Sequence, residues 1–194
     1  MVSLRPIALL ALALALGAGG CGGGGSSEPT TTEAAAPTTS AQPEPSHVVP
    51  ALEALLPGAI NGTKLQKGSA LGPQVFGGDA FSRVMTQRLE AAGKAPADLR
   101  FANAQDPKGK LELEVGVFEV PGMKASDLAA AIVASSRPNA PGLFVDHSTL
   151  GGKPVTTIVY PGGTVLYLYE QGGRVFYIGT QRKPLAVEAI GLLP

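Results

Sequence analysis

Residues 153–180 read KPVTTIVYPGGTVLYLYEQGGRVFYIGT, and they carry the clearest structural signal in the chain. Runs rich in β-branched and aromatic residues alternate with Gly-Gly pairs spaced about ten residues apart. Such runs favour strands, and a Gly-Gly pair suits a two-residue hairpin turn because glycine adopts positive φ angles without strain. Together with residues 143–150, which precede one more Gly-Gly pair, the pattern predicts a four-stranded antiparallel meander. Its strands are expected at residues 143–150, 153–160, 164–170 and 174–180.

The chain before the meander adds further strands. Residues 111–120 alternate apolar and polar side chains with a period of two, which is typical of a strand with one buried face. Residues 100–104 are expected to form its hairpin partner. An earlier strand is expected at residues 59–66, interrupted by a turn at Asn61-Gly62, and a Gly-rich loop is expected at residues 68–78.

Helical spacing of apolar residues predicts four helices around these strands. They are expected at residues 48–56, 79–92, 128–136 and 184–192, with Asp79 as the N-cap of the second. The order of elements lacks the strand–helix–strand alternation of a parallel sheet. The predicted class is therefore α+β, a single mostly antiparallel sheet that ends in the meander, with helices packed on one face.

All four tyrosines lie in the last three predicted strands. If Gly172-Gly173 is a two-residue turn, Tyr169 lies opposite Phe176 and Tyr167 lies opposite Ile178. The other face of these strands is apolar as well. One face should therefore lie under helices, and the other is either covered by the N-terminal segment or exposed as an aromatic binding surface. Tyr167, Tyr169, Phe176 and Ile178 form the candidate binding face, with simple core packing as the alternative.

The first 21 residues have the three parts of an export signal. Arg5 supplies the positive charge, residues 7–16 are apolar, and small residues lead to Cys21, the only cysteine of the chain. The apolar run is shorter than the roughly 20 residues that cross a bilayer as a helix.

The segment Ala18-Gly19-Gly20-Cys21 resembles the lipobox of bacterial lipoproteins. The resemblance implies that Cys21 receives a diacylglyceryl group and anchors the chain on the extracytoplasmic side of a cell membrane. An ordinary secretory signal cut near this point is the alternative. The resemblance covers residues 1–21 only.

Residues 22–46 contain no aromatic residue and no Leu, Ile, Val or Met. A Gly/Ser/Pro/Thr-rich segment of this kind cannot bury enough apolar surface to offset its ordering entropy, so we expect a disordered tether. The remaining residues, 47–194, are expected to form one globular domain.

Composition excludes several functional classes. The chain has 15 Lys and Arg against 15 Asp and Glu, so it lacks the basic surface that would predict nucleic-acid binding. Its two histidines and single cysteine offer few ligands for zinc or iron, and no cofactor is predicted. An intrachain disulfide is not possible with one cysteine.

The sequence therefore predicts a lipid-anchored extracytoplasmic binding or interaction module, whose partner is the membrane and an unknown envelope protein or small ligand. A structural accessory subunit of an envelope complex is one alternative. An envelope hydrolase is the other, with His147 or the strand neighbours Glu112 and Glu114 as its candidate acid–base groups.

Overall fold

A computed structural model describes residues 45–194 of the chain. Cys21, the predicted signal segment and residues 22–44 of the predicted tether lie outside the described residues. The described part forms one unit, Pro45–Pro194.

A seven-stranded antiparallel sheet forms the centre of this unit, in the order β3-β4-β5-β9-β8-β7-β6. A separate hairpin of two short strands, β1 and β2, lies outside it. The strands are β1 (Ala59–Ile60), β2 (Thr63–Lys64), β3 (Gln66–Leu71), β4 (Arg100–Gln105), β5 (Leu113–Glu119), β6 (Phe144–Leu150), β7 (Lys153–Val159), β8 (Val165–Gln171) and β9 (Arg174–Thr180). The helices are α1 (Pro50–Glu53), α2 (Gly72–Val75), α3 (Ala80–Ala91), α4 (Ala125–Ser136) and α5 (Lys183–Gly191).

The α+β class, the antiparallel sheet and the four-stranded meander are confirmed. Strands β6 to β9 pair in chain order, and the predicted register is correct, with Tyr169 opposite Phe176 and Tyr167 opposite Ile178. Gly151-Gly152 and Gly172-Gly173 have positive φ at both positions, as two-residue hairpin turns require. The last strand, β9, then pairs with β5 and joins the meander to the first half of the domain.

The predicted turn at Asn61-Gly62 is confirmed. It breaks the expected strand at residues 59–66 into the hairpin of β1 and β2, because Asn61 and Gly62 both adopt positive φ. The segment that follows differs from the prediction. The Gly-rich loop expected at residues 68–78 is wrong up to residue 75, since Gln66–Leu71 form the edge strand β3 and Gly72–Val75 form helix α2. Pairing with β4 along six residues overrides the low strand propensity of this segment.

Helices cover both faces of the sheet, whereas the sequence predicted them on one face only. Helices α3 and α4 pack on the face that carries Phe101, Phe118 and Tyr177, which we call the helix-pair face. Helices α1 and α5 pack on the opposite face, which carries Val117 and Phe176 and which we call the terminal-helix face. The central strands are apolar on both sides, so each face must be covered to remove that surface from water.

Helix α5 is expected to stabilise the domain through its buried side. Ile190 is 0 % exposed, whereas Leu192, two residues later, is 52 % exposed. Ile190→Ala should lower the free energy of unfolding by about 2–5 kcal/mol, because it leaves a cavity on the terminal-helix face. Leu192→Ala should change it by about 0.5 kcal/mol or less. Urea unfolding of the two variants checks this, and equal losses would show that α5 does not cover the sheet as described.

Candidate functional site

The predicted aromatic face lies on the terminal-helix face of the sheet, and most of it is buried. Phe176 and Ile178 are each 1 % exposed, and Tyr169 is 8 % exposed. The Tyr169 hydroxyl donates a hydrogen bond to the backbone oxygen of Pro194 (3.2 Å), and Lys153 Nζ lies 4.8 Å from the centre of its ring. Core packing under the C-terminal segment therefore accounts for three of the four predicted residues.

Tyr167, the fourth residue, lies at a corner of the same face that stays partly open. Val165 and Val159 pair across β8 and β7, and Val159 pairs with Phe144 on β6, so these side chains form a row beside Tyr167. Tyr167, Val159 and Val165 are half-buried, and Phe144 is 62 % exposed. We call these four residues the corner patch. Sequence reasoning missed Phe144, although an apolar residue at the start of an outer strand was a visible signal.

The corner patch adjoins an open edge of the sheet. Within residues 45–194, strand β6 pairs with β7 on one side and with no strand on the other. The opposite edge strand, β3, is paired at Ser69 with the start of the domain: Ser69 N donates to Ser46 O (2.7 Å) and Val48 N donates to Ser69 O (3.3 Å). Among the described residues, β6 is thus the edge of the seven-stranded sheet at which backbone groups remain available for a further strand.

A shallow groove of about 440 Å³ lies beside this edge, over β6, β7 and β8. Its lining includes His147, Thr156, Leu168 and Glu170. His147 Nδ1 lies 3.3 Å from Thr156 Oγ1, and the histidine is exposed. The backbone N–H of His147 donates to the Asp146 carboxylate (2.8 Å). The imidazole therefore lies in an open surface groove lined by both polar and apolar side chains, and its side-chain hydrogen-bond partner there is the Thr156 hydroxyl.

A second polar cluster lies within the helix-pair face. The Tyr177 hydroxyl donates to Glu114 Oε1 (2.5 Å), and Asn103 Nδ2 donates to the same oxygen (3.3 Å). Burial raises the pKa of Glu114, although both hydrogen bonds oppose the increase. Burial and the neighbouring Glu114 charge raise the pKa of Tyr177 well above its ordinary value. Sequence reasoning named Glu114 but missed both partners, since nothing in the sequence spacing places them together.

Glu112 does not join this cluster. The prediction placed Glu112 and Glu114 on one face of a strand from residue 111, but Glu112 has a φ of +51° and β5 begins at Leu113. The left-handed conformation breaks the strand alternation before Glu114. Glu112 is exposed, whereas Glu114 is half-buried against Tyr177. The structure does not arrange the two carboxylates as an acid–base pair.

Two general features of residues 45–194 bear on function. No group of three or more His, Cys, Asp or Glu side chains in this part of the chain is placed to hold a metal ion. No helix in the same range combines the length and apolar character needed to cross a bilayer.

Comparison with known proteins found no matching family model, no similar curated protein and no similar solved structure. A functional conclusion must therefore come from the chemistry of the sites themselves.

Gly116 makes room for the Tyr177 ring. A Cβ atom at Gly116 would lie 2.2 Å from Cε1 of that ring, whereas a Cβ at Gly77 would meet nothing within 4 Å. Gly116→Ala should destabilise the domain by about 1–3 kcal/mol through overpacking, and Gly77→Ala should stay within about 0.5 kcal/mol of wild type. Denaturant unfolding measures both, and a neutral Gly116→Ala would refute the described packing of Tyr177.

The raised pKa of Glu114 should make the free energy of unfolding depend on pH. Between the ordinary glutamate pKa of about 4.3 and the raised value, the folded protein keeps a proton that the unfolded chain loses. Stability attributable to this group therefore falls as the pH rises through that window. Glu114→Gln cannot ionise but still accepts both hydrogen bonds, so its stability relative to wild type should increase from pH 4 to pH 7. Unfolding of both proteins across this range tests the prediction, and a constant difference would contradict it.

Proposed function

We propose that the protein is a lipid-anchored interaction module on the extracytoplasmic side of a cell membrane. Cys21 carries the anchor, residues 22–44 act as the tether, and the folded domain, which begins at Pro45, presents the β6 edge and the corner patch to a partner. The proposal rests on the lipobox-like segment for the anchor and on the geometry of the domain for the interaction surface.

The observation that supports the interaction surface most strongly is the arrangement of the two sheet edges. The chain enters the domain at Pro45 and Ser46, beside β3, and β6 lies at the other end of the sheet. Six strand spacings of about 4.8 Å separate the two edges, or roughly 29 Å. The proposed tether therefore joins the domain at the edge opposite β6.

The chemistry of the β6 edge suits recognition of an extended backbone. A strand added to a sheet edge gains main-chain hydrogen bonds, and its alternate side chains contact the two faces. On one face it would meet the exposed ring of Phe144. On the other face it would meet the groove that contains His147 and Glu170.

The proposed anchor and tether are physically sufficient for this role. Each buried methylene group of a lipid contributes about 0.8 kcal/mol, so two acyl chains hold a protein on a membrane without an apolar patch on the domain. A flexible segment of the length of residues 22–44 has an r.m.s. span of roughly 24–29 Å. The domain can therefore stand clear of the lipid headgroups.

An accessory subunit of an envelope complex is the second candidate, and the corner patch is the observation that favours it. Three apolar side chains in one cross-strand row, with Phe144 62 % exposed, suit a fixed protein contact better than a small polar ligand. Both candidates use the same surface, and they differ in whether the contact is permanent.

The anchor is tested by expressing the full precursor in a bacterial host and measuring the intact mass of the chain. Wild type should be found in the membrane fraction, beginning at Cys21 and carrying a mass increase equal to a lipid. Cys21→Ala should lose that increase and leave the membrane fraction, whereas Ser26→Ala, five residues away, should behave as wild type.

A soluble chain, cut at the same position in wild type and in Cys21→Ala, would overturn the anchor. The protein would then be secreted, and residues before the domain would not link it to a membrane.

A further inference from the structure

The backbone geometry of β6 determines which of its polar groups face outward. Gly151 and Gly152 form a two-residue turn with φ of +57° and +83°, so Leu150 and Lys153 close it as a hydrogen-bonded pair. Alternation along the strand then directs the N–H and C=O groups of Val145, His147 and Thr149 away from β7. The bond from His147 N to the Asp146 carboxylate agrees with this, because it occupies an N–H that β7 does not use.

We propose that the occupant of this edge is a second copy of the same chain. The two β6 strands pair antiparallel about a two-fold axis at His147, which extends the sheet from seven strands to fourteen. This inference rests on the proposed function, because it names the partner of the proposed interaction surface.

The register follows from the outward groups. With the axis at His147, His147 pairs with its copy, and Val145 pairs with Thr149 of the second copy, so all three outward residues of each strand form hydrogen bonds. With the axis at Asp146, Thr149 is left out and the two Asp146 carboxylates lie directly opposite each other, which is unfavourable. With the axis at Ser148, Val145 is left out. Of these three positions, only the axis at His147 pairs every outward backbone group. It also keeps the two Asp146 carboxylates from lying directly opposite each other.

The same register brings the exposed ring of Phe144 to the end of β6 that adjoins α5 in the second copy. Phe144 comes opposite Leu150 on the terminal-helix face, and since Leu150 is only 2 % exposed, the apolar surface available there is that of the neighbouring α5. Leu150 is followed by Gly151 at the turn. A Cβ atom added at Gly151 would lie 3.9 Å from Cγ1 of Val187, so this end of β6 lies close to α5. Phe144 is 62 % exposed and Val187 is 40 % exposed, at opposite ends of β6. A two-fold axis brings these different ends into contact twice, as a self-complementary interface requires.

The contact should be weak in solution and favoured on a membrane. One strand pair with two small apolar contacts falls below the roughly 1,200 Å² that stable interfaces bury. Pairing must also displace the Asp146 carboxylate from His147 N. Two chains tethered to one membrane surface have a raised effective concentration, which compensates for a weak contact.

Disulfide trapping in the full chain tests the register. In the proposed pair the two Cα atoms at position 147 lie about 5.5 Å apart, within the disulfide range, so His147→Cys should give a covalent dimer on mild oxidation. At position 148 the symmetry-related Cα atoms lie roughly 8 Å apart, beyond that range, so Ser148→Cys is the matched control and should remain monomeric. The parent chain, with Cys21 alone, controls for the natural thiol.

Two further variants keep the result interpretable. Val145→Cys combined with Thr149→Cys should also give a dimer, whereas each single variant should not. Asp146→Ala in the His147→Cys background should raise the dimer yield about fivefold at limiting protein, because pairing no longer displaces a hydrogen bond. Thermal unfolding of each variant confirms that the domain is folded.

Dimer formation at 147 and at the 145/149 pair, with none at 148, would support the proposal. No dimer at 147 in folded protein, or equal yields at 147 and 148, would overturn it. Dimers are measured in the membrane and soluble fractions alike. If the chain is soluble but still cross-links at position 147, the proposed lipid anchor is wrong and the proposed strand pairing stands. If the chain is anchored but does not cross-link, the anchor stands and the strand pairing is wrong.

Discussion

The pairing of β5 with β9 is the constraint on which the rest of the domain depends. It joins the C-terminal meander to β3 and β4 through seven residue pairs, from Leu113–Thr180 to Glu119–Arg174. Because both strands are central, their side chains are buried on both sides, and each face of the sheet needs its own cover. Helices α3 and α4 supply one cover, and α1 and α5 supply the other. The C-terminal helix thus covers most of the aromatic face that the sequence offered as a candidate binding surface.

The same register creates the polar cluster inside the sheet. Gly116 lies opposite Tyr177, so the tyrosine ring rests over a position without a side chain. Its hydroxyl reaches Glu114 on the neighbouring strand, where Asn103 also donates. A carboxyl group in this position has a raised pKa because burial disfavours its charge. The cluster has the properties of a structural hydrogen-bond network: its members are paired with one another, and the exposed Glu112 lies apart from it.

The two edges of the sheet differ in a way that matters for function. Backbone groups of residues 46 and 48 pair with Ser69 of β3, whereas the Asp146 carboxylate takes only the N–H of His147 on β6. Natural proteins protect long edges with charges because an open strand recruits other strands. One acidic side chain at the centre of β6 limits such pairing without preventing it. In the proposed pair this would make the association reversible, with the exposed ring of Phe144 at the end of the strand as added apolar contact area.

The sequence alone determined the α+β class, the meander, its turns and the pairing of Tyr169 with Phe176, because these depend on local alternation and on glycines that adopt positive φ. The lipobox-like segment at Cys21 is local as well, and it remains a sequence prediction. Tertiary structure decided the β5–β9 pairing, the strand character of Gln66–Leu71, the burial of the aromatic face under α5 and the contact of Tyr177 with Glu114. Each of these features depends on contacts between segments far apart in the chain. The stabilising free energy of such contacts comes from apolar burial and strand pairing rather than from local conformational preference.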